Sequence, residues 1–318
     1  MALNVLRFRH AGRAQWGVVR DGSITPIPGA FETTRAFLEA NGLDALAELS
    51  GPTLAEAEVE LMSPVTQNQQ FLCQGANYRQ HMIESGLDPN AKTFNMIFTK
   101  APSCIAPANC NVVRPRRVRF LDYEIELGLV LKRGMTSGQR VTGANLHEFV
   151  AGAVIVNDYS ARDVQIPQMQ FYKGKSFRSF GPVGPYLCLL RPADFAKIGE
   201  LRLTLTVNGA VRQSDCIENL VYWPAETLTE LSGVHDLDVG DLLSTGTPAG
   251  CALSVPSPMR QRFAALLPEA MKWKLFESIQ ARRSQYLQPG DIVESRIATA
   301  DRAIDLGVQR NRVVDETT

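Results

Sequence analysis

The 318-residue chain has no excess of either charge, with 33 lysines and arginines against 33 aspartates and glutamates. Composition therefore gives no support for a nucleic-acid partner or for attraction to an anionic membrane surface. The one basic cluster, Arg114, Arg116, Arg117 and Arg119, reads as a solvated turn between strands. No apolar run approaches the ~18 residues that span a bilayer. The segment Met1–Gly12 carries Arg7, Arg9 and His10 and lacks an apolar stretch, so no secretory signal is expected and a cytoplasmic location is. The six cysteines are scattered, with no Cys-x-x-Cys pair. That pattern fits reduced, buried thiols and leaves a structural zinc site nothing to stand on. Three familiar catalytic fingerprints are also missing: the Gly-Lys-Ser/Thr ending of a phosphate loop, a Gly-x-Ser-x-Gly elbow and a Gly-x-Gly-x-x-Gly turn.

What is present is an ordinary globular composition, 45% apolar, and length enough for one large domain with a smaller one beside it. Residues 1–65 read as the small unit. Leu3 to Phe8 and Trp16 to Arg20 look like strands around an Asp21-Gly22 hairpin turn, Phe31 to Ala40 has helical spacing, and Ala57 to Met62 reads as a strand. From residue 66 to 318 the chain is rich in strands. Asp122 to Lys132 alternates, with Tyr123, Ile125, Leu127, Leu129 and Leu131 on one face and Asp122, Glu124, Glu126 and Gly128 on the other. Gly152 to Val156 is an apolar strand ending in Asn157-Asp158, and Leu201 to Val207 alternates into an Asn208-Gly209 hairpin. Val239-Gly-Asp-Leu-Leu-Ser and Pro289-Gly-Asp-Ile-Val-Glu are two Gly-Asp turns that each feed a strand. Helices are fewer. Asn145 with Glu148 has capping-box spacing, Ser160 with Asp163 offers another start, and Pro224 opens a short helix to Leu231. Residues 252–286 read as a helical insert broken at Pro268.

The chemistry concentrates in carboxylates. Glu124 and Glu126 lie two residues apart on a core strand, so their side chains point the same way about 7 Å apart along the backbone. Such a pair needs a cation, which either arginine and lysine partners or a metal can supply. Asp158, ending a buried strand, adds a third hard oxygen donor, suited to Mg²⁺, Mn²⁺ or Ca²⁺ rather than zinc. Three such ligands leave about three of six octahedral positions for a bidentate oxo acid and a water. If Asn77 to Glu84 is helical, His81 and Glu84 stand at i and i+3, where a carboxylate can orient a histidine base; exposed pairs of this kind are also common and idle. Lys175, between Gly and Pro turns, either directs a charge at a developing oxyanion or is a solvated loop lysine. The run Ser244 to Gly250 is a tight loop whose hydroxyls and amides can grip a carboxylate.

Taken in order, several motifs resemble the fumarylacetoacetate hydrolase family: Gly75-Ala-Asn-Tyr-Arg-Gln-His81, Asp122-Tyr-Glu-Ile-Glu-Leu127, Asn157-Asp-Tyr-Ser-Ala-Arg-Asp163, Lys175-Ser-Phe177 with Gly184-Pro185, Val207-Asn-Gly209 with Gln213, Gly246-Thr-Pro-Ala-Gly250, and Pro289-Gly-Asp291. The resemblance covers residues 69–250 and 287–297. It implies an α+β fold with a mixed β-roll core, here preceded by a small N-terminal α/β domain, and a homodimer. It implies Mg²⁺ or Mn²⁺ on Glu124, Glu126 and Asp158, a catalytic His81–Glu84 pair with Lys175, and substrate contacts from Tyr78, Arg162, Gln213 and Thr247. The activity implied is hydrolysis of a C–C bond in a small 1,3-diketone or acylpyruvate-type oxo acid. The runner-up is a 2-oxo-acid decarboxylase or a tautomerase. A non-catalytic binding module is a further alternative, which the intact acidic and His–Glu sets disfavour. Two departures stand out: Ala76 replaces the family's usual leucine, and the 252–286 insert interrupts the usual short path to Pro289-Gly-Asp. The insert is expected to bring Trp273 and Phe276 to the mouth of the site and to favour a larger or more apolar substrate.

Overall fold

The two longest apolar segments of the middle of the chain, Ile125–Leu131 and Val150–Asn157, are buried at every position. A strand without a solvent face belongs in the middle of a layered structure, and the computed structural model, which describes residues 2–254 and 266–317, places them there. They pair antiparallel at the centre of a thirteen-stranded mixed sheet. On one side the sheet continues through Leu187–Leu189 to the N-terminal strands Leu3–His10, Arg13–Arg20 and Ser23–Pro26. On the other it continues through Leu242–Ser244, Phe71–Gly75 and Met96–Lys100.

A second sheet of five strands runs Ala210–Cys216, Arg202–Val207, Ile292–Ala298, Asp305–Asp315, Asn111–Arg114. Its alternating inner residues, among them Leu203, Leu205, Val293 and Ile297, meet Leu127, Leu129 and Ile155 of the first sheet in one core. The opposite face of the central strands, including Val130, Val154 and Val156, is covered by a second core with Trp16, Val18 and Phe37. The fold is thus α+β and mostly sheet, a mixed roll with few helices. Two backbones approach closely at its centre. A Cβ on Gly152 would stand 2.1 Å from the Cys188 carbonyl oxygen, and one on Gly128 would press on Val154, Val156 and Leu242.

The N-terminal unit expected over residues 1–65 does not keep a sheet of its own. Leu3–Val5 pair with Leu187–Leu189, so its strands extend the large sheet. Trp16 stacks flat on Phe37 of the helix Thr34–Ala40, ring centroids 4.0 Å apart. The predicted turns at Asp21-Gly22 and Asn208-Gly209 are present with positive φ at both residues, as a two-residue hairpin of matching twist requires. The paired Gly-Asp turns are alike in detail. Asp241 accepts from the Asp238 amide, and Asp291 accepts from the Gln288 amide, each three residues back.

Four local expectations need correction. Asp122 to Lys132 is not one strand. Leu121–Asp122 pairs with Ser160–Ala161, the chain breaks pairing at Tyr123-Glu124, and the long strand begins at Ile125. Asn145 does not cap a helix with Glu148; its carboxamide oxygen is taken by the Thr142 amide and only a 3₁₀ turn, Leu146–Glu148, follows. The strand placed at Ala57 starts at Glu60, after a 3₁₀ turn. The insert contributes one described helix, Glu269–Gln280, with Pro268 immediately before it rather than inside; the part of the expected helix over 258–265 lies outside the described residues. Among the described residues no helix is long and apolar enough to cross a membrane.

Candidate active site

The register of the central strands builds the acidic site. Ile125 pairs with Asn157 at the end of the ladder, so the next residues outward, Glu124 and Asp158, are neighbours. The Asp158 amide donates to the Glu124 carbonyl at 2.8 Å, and the Glu124 amide donates to the Asn157 side chain at 3.0 Å. Glu126 lies two residues along from Glu124 on the same face. Carboxylate oxygens from Glu124, Glu126 and Asp158 all lie within 4.8 Å of one another, and all three residues are buried. They stand beside or on the wall of a cavity of about 590 Å³.

Bases take up two of the three acids. Lys175 Nζ donates to Glu124, at 2.5 Å, and to Asp158. Arg162 donates to Glu124 and, through Nε at 2.8 Å, to Asp122. Lys100 donates to Asp158 at 2.5 Å and to the Phe180 carbonyl at 2.7 Å. Among the described residues Glu126 receives only neutral donors, the Ser244 hydroxyl at 2.5 Å and the Gly246 amide at 3.1 Å. Electrostatics follow this division. Burial alone would push the Glu124 carboxyl up, but the Arg162 and Lys175 charges hold it below the usual carboxylate range. Burial, then the Asp158 and Glu124 charges, push Glu126 up to about 8. Burial would lower the Lys175 ammonium, yet Asp158 and Glu124 hold it protonated above its ordinary value.

The cluster therefore sets four buried carboxylates (Asp122, Glu124, Glu126, Asp158) against three buried bases (Lys100, Arg162, Lys175). It is one positive charge short, and the shortfall falls on Glu126. A divalent cation suits this donor set: the oxygens are hard and converge, and the compensation by bases is incomplete at Glu126. The residues present thus fit the Mg²⁺ or Mn²⁺ that the family resemblance implies. The ion-pair alternative holds for Glu124 and Asp158, which have lysine or arginine partners, and not for Glu126.

His81 and Glu84 share the helix Arg79–Glu84 and both line the cavity. The helix forms as expected, but no hydrogen bond joins the pair: His81 Nδ1 is buried without a partner among the described residues. Burial lowers the imidazole below its usual value, partly offset by Glu124. Arg162, Lys175 and Thr247 also line the cavity. Lys175 closes a short helix, Phe171–Lys175, rather than sitting in a loop; Gly174 lets that helix lie against Gln165, 2.6 Å from where a Cβ would be.

Tyr78 and Gln213 do not face the cavity. Tyr78 is fully buried and is not part of the cavity lining. Gln213 is a brace, accepting from the Ile125 amide and donating to Thr247 Oγ1 at 2.9 Å and the Pro248 carbonyl at 2.9 Å. The Ser244–Gly250 loop does grip a carboxylate, but it is the chain's own Glu126. Trp273 and Phe276 do not reach the cavity either. Phe276 packs edge-on to Phe120, and Trp273 packs on Phe276. The apolar wall comes instead from Leu87, Met96, Phe98, Ile166, Phe171 and Leu253. Sequence reasoning also passed over Lys100 and the ion-pairing role of Asp122. Lys100 ends a strand with no motif around it; only its burial in the fold marks it. Asp122 was visible, since an acid flanking Tyr123 in a core strand needs a partner, and Arg162 is that partner.

The model of the fumarylacetoacetate (FAA) hydrolase C-terminal region matches residues 70–314. The chain belongs to the fumarylacetoacetate hydrolase family. Residues 5–64 match a second model, the Rv2993c-like N-terminal region. Among relatives within the family, the chain is 33% identical over 213 residues to the oxaloacetate tautomerase YisK of Bacillus subtilis, covering 66% of this chain and 69% of that one. It is 33% identical to the bovine mitochondrial oxaloacetate tautomerase FAHD2A over 65% of each chain, so the match spans about two thirds of these tautomerases. It is 34% identical to a 2,4-didehydro-3-deoxy-L-rhamnonate hydrolase of a Sphingomonas species, over 77% of this chain and 83% of that one. A solved structure, the fumarylacetoacetate hydrolase of Exiguobacterium antarcticum, superimposes with a TM-score of 0.76 at 27% identity, covering 99% of this chain and 100% of that one.

Proposed function

We propose that this chain is a divalent-metal-dependent hydrolase that cleaves the C–C bond of a small acylpyruvate-type oxo acid. The observation that carries the reading is the convergence of Glu124, Glu126 and Asp158 on one another, with Glu124 and Glu126 lining the same cavity as Lys175 and His81. A Mg²⁺ or Mn²⁺ ion held by the three carboxylates would supply Lewis acidity to two substrate oxygens. His81, kept neutral by its burial, takes a proton from water, and Glu84 on the same helix is the carboxylate available to orient it. The hydroxide so formed adds to the acyl carbonyl. Two of the three Lys175 N–H bonds are spent on Glu124 and Asp158, leaving one for the developing oxyanion. The C–C bond then breaks, the acyl fragment leaves as a carboxylic acid, and a proton returns to the pyruvate carbon. The cavity volume falls in the range that holds drug-sized ligands, ~300–1,000 Å³, and its apolar wall suits an acyl group. We further propose that the enzyme is a homodimer, with its N-terminal domain ending near residue 65.

A second reading, tautomerisation of an oxo acid, is favoured by one feature. His81 lacks the hydrogen bond to Glu84 that water activation would use, yet its unpartnered Nδ1 suffices to shuttle a proton between carbon and oxygen. The test is turnover of acylpyruvates and of oxaloacetate with Mg²⁺ or Mn²⁺ present. Release of pyruvate plus a second acid is expected. Interconversion of enol and keto forms with no fragment released would replace the hydrolase reading by the tautomerase one.

A further inference from the structure

The insert contributes a cation to the same cavity. Arg283 lines it together with Gly250, Leu253 and Ser254, in a lining that also includes Glu124 and Lys175. Arg162 and Lys175, the other strong bases there, are bound to carboxylates. Arg283 is not. Among the described residues it makes no ion pair, and the chain over 255–265 contains no aspartate or glutamate. Among the described residues its one hydrogen bond is from Nε to the Ala252 carbonyl at 2.5 Å, which fixes the guanidinium plane and leaves both terminal nitrogens without a partner among those residues.

That anchor is tied to the acidic cluster. The Ala252 and Leu253 amides donate to the two oxygens of Asp122, at 2.7 and 2.9 Å, and Asp122 holds Arg162. The helix Glu269–Gln280 is clamped at its end by Gln280, whose side chain donates to the Ser254 carbonyl at 2.9 Å and accepts from Tyr286 at 2.7 Å. The start and end of the insert are thus sewn together, and Arg283 sits at the seam. A guanidinium held through Nε presents a two-pronged donor pair that matches a carboxylate.

We infer that Arg283 is a specificity-determining residue that binds a second carboxylate of the substrate, so that the preferred ligand is a 2-oxo dicarboxylate. This rests on the proposed oxo-acid reading for the metal-proximal end. The substrate's 2-oxo-acid head lies against Glu124, Glu126 and Asp158, and its far carboxylate meets the fork supplied by the insert. One positive charge at the far end selects dianions over monoanions.

Calorimetry on the full-length protein with Mn²⁺ tests this without turnover, using 2-oxoadipate against 2-oxohexanoate, which differ in the far carboxylate. The wild type is expected to bind the dicarboxylate at least about tenfold tighter, and Arg283→Gln to lower that preference by roughly 10- to 100-fold, the range for a lost charge-assisted pair. Arg283→Lys restores part of it. A purely structural role would weaken both ligands together and leave their ratio unchanged; that result, or a wild type with no preference, overturns the inference. Failure of both ligands to bind overturns it as well, and with it the oxo-acid reading. Loss of the preference in the variant alongside wild-type inactivity on acylpyruvates would sink only the hydrolase reading.

Discussion

At the scale of single residues, the site is a problem of charge compensation in a buried volume. Glu126 is the residue where it is least solved, and its titration follows. Its carboxyl rises from an unfolded value of 4.5 to about 8 in the fold, so the folded protein holds a proton there that the unfolded chain releases. By linkage, the stability this contributes is complete below pH 4.5 and is lost as pH rises towards 8. Glu124 has the opposite sign, held low by Arg162 and Lys175, but its contribution is lost only as pH falls below 4.5. In chelator-treated protein, the melting temperature of the wild type relative to Glu126→Gln is therefore expected to fall between pH 5 and 8. A flat difference across that window would show that Glu126 is ionised throughout.

His81 gives a second residue-scale prediction. Burial keeps its imidazole below the ordinary value of 6.5, so a base at this position is deprotonated at neutral pH. The acidic limb of the kcat/KM profile should turn over below pH 6.5. His81→Ala should lower kcat by about 10²–10⁴. An unchanged kcat in steady-state assays would remove His81 from the mechanism.

At the scale of elements, the central strand pair holds Glu124 beside Asp158, and its register depends on close contact with a third strand. Gly152 faces the Cys188 carbonyl at a distance no side chain tolerates, 2.1 Å. Around Gly138, in contrast, nothing lies within 4 Å of where a Cβ would stand. Gly152→Ala should cost about 3 kcal/mol, at the upper end for overpacking because the obstacle is backbone, while Gly138→Ala should leave the urea midpoint nearly unchanged. Equal midpoints for the two variants would contradict the packing described.

Much of this element-level arrangement was legible beforehand because its causes are local. The alternation of Leu203 and Leu205, the positive-φ turns at Asp21-Gly22 and Asn208-Gly209, and Pro224 at a helix start each act over a few residues. The acidic trio was legible for the same reason, since a carboxylate inside an apolar strand needs a partner. The break at Tyr123-Glu124 was not, because it arises when Leu121–Asp122 leaves the ladder to pair with Ser160–Ala161, a contact about forty residues away. Lys100 and the bracing role of Gln213 were invisible for the same reason: each is defined by what folding brings to it from a distant strand.

At the scale of the whole molecule, the large sheet and the insert both contribute to the lining of one cavity, and the second sheet braces it through Gln213, so occupancy of that cavity should be felt by the entire fold. The three carboxylates come from the adjoining ends of two strands at the centre of the sheet, Glu126 within one and Glu124 and Asp158 just beyond them, and Lys100, Arg162 and Lys175 reach them from three further elements. A ligand that binds the native arrangement and not the unfolded chain stabilises by RT ln(1 + [L]/Kd), about 2.7 kcal/mol at one hundred times Kd. For a chain of this size that corresponds to a rise of a few degrees in melting temperature. Mg²⁺ or Mn²⁺ should produce that rise in the wild type, and Asp158→Asn should abolish most of it, since the substitution removes one of three converging charges. Lys173, exposed and bonded among the described residues only to Gln168, supplies the control: Lys173→Ala should keep the full metal-dependent shift. A shift that survives in Asp158→Asn would place the stabilising ion elsewhere on the molecule, and the acidic trio would then have to be explained by its lysine and arginine partners alone.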